Sequence, residues 1–152
     1  VDDHEAASQG SGRLEELDEE ECLLLLEQHS VGRIVFVDQG QPMAVPVNYV
    51  LQGRTVAFRS DPGTKLESAD LGRVALEIDA VDAAYHEGWS VLVTGVGRDI
   101  TEAIDDWSEH IRARHLTPWA AGERRHWVAI SSPVITGRRI RNLAGESAAV
   151  AP

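Results

Sequence analysis

Hydrophobic residues along this chain begin with a helical spacing and then settle into a period of two. The segment LDEEECLLLLEQH at 17–29 reads as a helix. Asp18 is its N-cap, with Glu21 at capping-box spacing, and Leu17 and Cys22 stand where a hydrophobic staple would. Next come GRIVFVD, PMAVPVNYVLQ and RTVAFRS, three strands separated by Gln-Gly pairs at 39–40 and 52–53 that signal turns, so this part is a meander of hairpins. Pro46 sits inside the second strand. Proline has no N–H to give a ladder, so that strand must run at an edge or break there.

A short helix is expected at 64–71, followed by the strands RVALEIDAV and WSVLVTGVGRDI. TEAIDDWSEHIRARH reads as an amphipathic helix capped by Thr101, with Ile104, Trp107 and Ile111 on one face, acids leading and arginines trailing. HWVAISS and VITGRRIR close the series as strands. About seven short strands with two or three helices predict a mainly β domain, a closed or partly closed antiparallel barrel. The domain is expected over 14–141, between a polar, Gly/Ser-rich leader at 1–13 that reads as disordered and a flexible tail at 142–152.

Composition narrows the function classes. The 152 residues carry a net charge of −11. Residues 1–30 hold ten acids and one base, and the remainder holds fifteen acids and thirteen bases. The acidity is thus concentrated at the start, and the nearly neutral body argues against nucleic-acid binding. Its bases gather toward the end, from Arg112 to Arg141. No apolar run reaches membrane-spanning length, and the polar start does not resemble a signal peptide. Cys22 is the only cysteine and, with six scattered histidines, offers no metal-ligand spacing. A cytoplasmic location is the expectation.

One basic residue stands apart. Lys65 is the only lysine, in FRSDPGTKLESA at 58–69. Thr64 is placed to cap the short helix, with Glu67 at the capping-box position, which sets Lys65 at the first helical residue. A cation there is opposed by the helix dipole, and free N–H groups point the same way. An anion suits the position, and Arg59 and Ser60, closing the preceding strand, can converge on it. Weighed on physics alone, a solvated surface lysine is an equally good reading.

The order PVNY, FRS, PGTK and GWSVLVTG resembles the pyridoxamine 5′-phosphate oxidase-like, flavin-binding split-barrel family, above all the short bacterial branch that includes nitroimidazole-resistance-type proteins. The resemblance covers about 14–141 and implies an antiparallel split β-barrel with two or three flanking helices. It also implies a homodimer with FMN in each of two clefts at the subunit interface. Carried over motif by motif, Arg59, Ser60, Thr64 and Lys65 fall at the phosphate, Pro46, Val47, Asn48 and Tyr49 fall under the flavin ring, and Phe58 of the FRS strand counts among the cofactor-binding positions. Trp89 and Ser90 fall beside the ring, from the neighbouring subunit. The C-terminal segment lacks the full basic pattern of the substrate-phosphate site, although Arg138, Arg139 and Arg141 are there, which argues against pyridoxamine phosphate as substrate. The implied activity is that of an FMN-dependent oxidoreductase acting on a small molecule. The alternatives are a non-catalytic FMN-binding, storage or sensing protein and a reductase using a deazaflavin; the nearly neutral body favours FMN.

Trp119 lies in LTPWAAGERR, a loop without periodicity, and reads equally as a cover on the substrate side of the flavin or as packing onto the barrel. Trp107 and Cys22 read as core, and Trp127 as core or dimer interface. His86 and His126 have no motif partner and read as structural or solvated, and no catalytic acid or base is assigned.

Overall fold

The computed structural model describes residues 12–60, 72–117, 119, 122 and 125–142. Among them are β1 (Gly12–Leu17), α1 (Glu19–Gln28), β2 (Val31–Asp38), β3 (Gln41–Gln52), β4 (Thr55–Ser60), β5 (Arg73–Asp82), β6 (Glu87–Asp99), α2 (Asp106–Arg112) and β7 (His126–Asn142). The helix expected at 64–71 lies outside the described residues.

All strand pairs are antiparallel, in the order β1-β7-β4-β3-β2-β5-β6, and a further pairing of β6 with β7 closes the ring. One edge of β7 carries β6 from Val128 to Ile140. The other is shared: β4 holds it from His126 to Ala129, and β1 takes it from Gly137 to Asn142. Between them the barrel is split, and α1 packs into it with Cys22 and Leu26 fully buried in the core. Full burial of a side chain like Leu26 contributes about 1.5–3 kcal/mol.

The local signals for the first half hold. Asp18 accepts from the Glu21 N–H at 2.8 Å, and Glu21 accepts from the Asp18 N–H at 3.2 Å, a complete capping box. Gln39 and Gly40 both take positive φ in the β2–β3 turn, as a two-residue hairpin with right-handed strands requires. The second turn falls one residue later than expected, on Gly53 and Arg54, with Gln52 still paired to Thr55.

Three expectations are corrected. β1 is a strand without a period-two apolar pattern, because only Leu17 of its residues is buried and the backbone ladder to β7 holds it. The two C-terminal strands are one: β7 runs through Pro133, which lies in a register shift opposite Gly95, where a bulge tolerates a residue without an N–H. Finally, α2 starts at Asp106, not near Thr101. Asp105 is the better cap, accepting from both the N–H and the hydroxyl of Ser108 at 2.9 and 2.8 Å. The Thr101 hydroxyl instead accepts from the Trp127 N–H at 2.9 Å. Ile104 therefore stands before the helix at 91% exposure, and Trp107 is exposed at 37%, so neither joins Ile111 in a core.

The barrel interior is lined by alternate residues of each strand, among them Ile34, Phe36, Tyr49, Phe58, Leu76, Ile78, Val91, Val93, Val128 and Ile130. A second, smaller core lies on the outside, where Ile100, Ile111 and Leu116 cover Ala57, Trp127 and Ala129. Trp127 is thus a core residue of this outer layer.

Gly137 joins β1, α1 and β7. A Cβ there would lie 2.6 Å from Cys22 Sγ and 3.0 Å from Leu17 Cδ1. Overpacking of this kind costs about 1–3 kcal/mol. Gly137→Ala should therefore lower the midpoint of urea unfolding; an unchanged midpoint would mean that α1 can shift without cost.

Candidate functional site

Tyr49 donates its N–H to the Ser30 carbonyl at 3.0 Å. That bond sets the phase of the β2–β3 ladder: odd-numbered residues of β3 turn their backbone toward β2, and even-numbered ones turn it away. On the far side β4 pairs only from Tyr49 onward. The backbone of Pro42, Ala44 and Pro46 thus faces an edge with no strand partner among the described residues. Both prolines sit where their missing N–H removes no ladder bond. The expectation that Pro46 marks an edge holds, and that edge presents the Ala44 N–H and three carbonyls in a row.

The pleat sorts the motif residues by side. Tyr49 and Phe58, paired across β3 and β4, point inward and are buried at 3% and 0% exposure. The Tyr49 hydroxyl donates to the Leu26 carbonyl at 2.8 Å, and burial pushes its pKa above the ordinary phenol range. Val47 is half-buried against the same core, and Pro46 is exposed. Asn48, Val50, Ala57 and Arg59 take the outer face. There the Arg59 guanidinium lies 5.6 Å from the centre of the Trp127 ring, a cation–π contact.

Asn48 is only 7% exposed. Its Oδ1 accepts from the Trp119 N–H at 2.9 Å, and its Nδ2 faces the Ser30 carbonyl at 3.5 Å. One amide side chain thereby holds the segment after α2 against β3. Beneath that segment is a cleft of about 330 Å³ lined by His29, Ser30, Asn48, Arg114, His115, Thr117 and Trp119, among others. The Trp119 indole stands at its rim, 79% exposed. His29 donates from Nδ1 to the Leu25 carbonyl at 2.8 Å. It also meets the Trp89 ring in a T-shaped contact, with centroids 4.9 Å apart.

The remaining candidates fall elsewhere. Ser60, next to Arg59 and so on the opposite face of β4, pairs with His126 across β7. Its Oγ is buried and has no hydrogen-bond partner among the described residues. Trp89 is half-buried against the core, and Ser90 is its neighbour in β6. Both line a cavity of about 790 Å³ with Leu14, Val81, Arg138 and Ile140. Thr64 and Lys65 lie outside the described residues. His29, Arg114, His115 and Thr117 were not anticipated from the sequence: a helix end and an aperiodic segment carry no spacing that links them. Among the described residues no group of side chains could hold a metal ion, and no helix is long and apolar enough to cross a membrane.

A six-stranded ring extended by β1 and closed by α1, with one proline-marked open edge, defines an antiparallel split barrel. The chain belongs to the pyridoxamine 5′-phosphate oxidase family, whose model matches residues 18–139. An uncharacterised protein of Mycobacterium tuberculosis is 35% identical over 141 residues, covering 89% of this chain and 91% of its own. The FAD binding protein from Mycobacterium smegmatis is 38% identical with a TM-score of 0.68, and the match covers 83% of this chain and 97% of that one. A candidate pyridoxamine 5′-phosphate oxidase from Corynebacterium glutamicum is 28% identical with a TM-score of 0.69, over 84% and 98% of the two chains.

The Asn48–Trp119 bond is the most local feature of this site. Asn48→Ala should speed hydrogen exchange at the Trp119 amide at least about fivefold, the worth of one ordinary hydrogen bond. Unchanged exchange would mean that the segment is held by other contacts.

Proposed function

We propose that this protein binds a flavin and is an FMN-dependent oxidoreductase acting on a small molecule. The observation that carries the reading is the open edge of β3, which runs up to the strand ends bearing Arg59 and Ser60. A flavin ring edge needs backbone donors and acceptors, and its phosphate needs charge-assisted donors. Ser60 Oγ, buried with its hydrogen-bonding capacity unused, fits a phosphate or ribityl oxygen. Thr64 and Lys65 extend the same group in sequence.

In this reading Tyr49 and Phe58 act through the rigidity of the core beneath the ring. Pro46, Val47 and Asn48 offer it their backbone, and Arg59 holds the phosphate. The bound flavin supplies the electron-transfer chemistry, so no side chain need be an acid or base. The cleft under Trp119 receives the substrate and keeps bulk water away from it.

A second copy of the chain completes the site. Leu14, Ile140, Gly88 and Val81 lie in one cross-strand row, and the three with side chains are exposed at 60%, 45% and 74%. This apolar row borders the cavity of Trp89 and Ser90. A two-fold dimer would cover it and bring those two residues to the partner's flavin.

FAD is a second reading, favoured by the FAD-binding relative at 38% identity. Both cofactors contain riboflavin 5′-phosphate. Cofactor released by acid and separated by chromatography distinguishes them. Reoxidation of the reduced protein by nitro compounds, quinones or oxygen then separates an enzyme from a storage protein.

Arg59→Ala should weaken FMN binding by about tenfold or more, the loss of one charge-assisted bond. Riboflavin, which has no phosphate, should lose little. Titrations followed by flavin fluorescence read both, and equal losses would remove Arg59 from the phosphate.

A further inference from the structure

The cleft under Trp119, about 330 Å³ and at the small end of ligand pockets, sets a few polar groups against an apolar wall. Val50 and Leu116, which pack on the outer core, belong to that wall. Asn48 is the buried polar group, at 7% exposure. Its Oδ1 is spent on the Trp119 N–H at 2.9 Å. Its Nδ2 has two hydrogens, and its contact with the Ser30 carbonyl, at 3.5 Å, is at the outer limit of a hydrogen bond. What Asn48 still has to give the cleft is therefore a donor. Arg114 is the one arginine or lysine among the described lining residues, and Glu27 is the one acid. The two make no ion pair with each other, and the Arg114 guanidinium has no hydrogen-bond partner among the described residues. A guanidinium keeps its charge at any ordinary pH, and its planar fork matches a carboxylate. The Trp119 indole, exposed at the rim, adds a flat apolar face close to the Asn48 amide, because the two residues are hydrogen-bonded.

We propose that this cleft binds a small aromatic carboxylate, its oxygens held by the Arg114 guanidinium and the Asn48 Nδ2–H and its ring laid against the Trp119 indole. Two donors, one of them permanently charged, suit an anion with two oxygens. An indole and two aliphatic side chains suit a flat apolar body. Glu27 is the group that opposes the anion, but it is exposed, so solvent weakens its effect more than that of the nearly buried Asn48. The proposal names the substrate class of the cleft; it rests on the flavin reading for any redox chemistry but not for the binding itself.

The test titrates the full chain, with and without FMN, by calorimetry. The probes are benzoate, its uncharged counterpart benzamide, and cyclohexanecarboxylate, which lacks the flat ring. Flavin content is read separately by absorbance. Benzoate should bind about tenfold tighter than benzamide, the worth of one charge-assisted bond, and tighter than cyclohexanecarboxylate. Arg114→Gln should weaken benzoate about tenfold and leave benzamide nearly unchanged. Asn48→Asp keeps an acceptor for the Trp119 N–H but puts a negative charge in place of the donor, so it should abolish the preference for benzoate. Hydrogen exchange at the Trp119 amide checks that the segment is still held; where protection is lost, Arg114→Gln alone decides. Glu27→Gln, which removes the opposing charge, should tighten benzoate. Equal affinities for benzoate and benzamide in the wild type, an unchanged benzoate affinity in Arg114→Gln, or weaker benzoate binding in Glu27→Gln would overturn the carboxylate. Displacement of FMN by benzoate would also overturn it, because the cleft would then belong to the cofactor. Benzoate binding by a protein that takes no flavin would support the proposal and overturn only the flavin reading, and flavin binding without benzoate binding would do the reverse.

Discussion

The edge of β7 that β4 and β1 divide between them is the constraint on which the rest of the fold depends. A strand has two edges, and β6 occupies one of them along nearly the whole of β7. The other must serve two partners in succession, so the wall opens where β4 leaves and β1 has yet to arrive. An opening in a barrel wall exposes core, and α1 is the element at hand to cover it because it follows β1 directly. The Tyr49 hydroxyl on the Leu26 carbonyl ties that helix to β3. Because Gly137 leaves no room for a side chain beneath Cys22, helix and strand meet at close range. The open edge of β3 is the second gap in the ring, on the far side of β4. There the prolines settle which backbone groups can donate along the edge.

Burial on the two faces of the wall then divides the labour. Inward residues make one continuous core, and outward residues of β3, β4 and β7 make a thin second layer with α2. Adjacent residues therefore have unrelated surroundings. Phe58 is sealed in the barrel, Arg59 lies over Trp127, and Ser60 returns to the inner face with His126. A site at the end of such a strand can draw on both faces, but only beyond the last paired residue.

What could be read from the sequence was what local chemistry dictates. The capping box of α1 is written in Asp18 and Glu21, the hairpin turn in Gln39 and Gly40, and the strand edge in Pro46. Elements held mainly by long-range backbone pairing were not legible. β1 carries no apolar alternation, and β7 hides its continuity behind Pro133 and a bulge. The start of α2 was misread because Thr101 and Asp105 are both good caps by type, and only the fold gives Thr101 a different partner. The candidate site was legible as a family pattern, but its faces were not. Nothing in the order of residues says that Asn48 spends its side chain on Trp119, or that His126 stands between Ser60 and Asp99.

PVNY illustrates how one motif can carry several duties at once. Its four residues alternate between the two faces of β3 and between its two edges. Pro46 forgoes a donor on the open edge, where no ladder needs it. Val47 and Tyr49 fill the barrel, and the Tyr49 N–H closes the β2 ladder onto Ser30. Asn48 turns outward and binds a segment 71 residues away. A substitution in this stretch therefore reads differently by position. At Tyr49 it acts on the packing of α1, and at Asn48 on the wall of the cleft. At Pro46 it acts on the edge itself, because any other residue would add an N–H to a row that has no strand partner among the described residues.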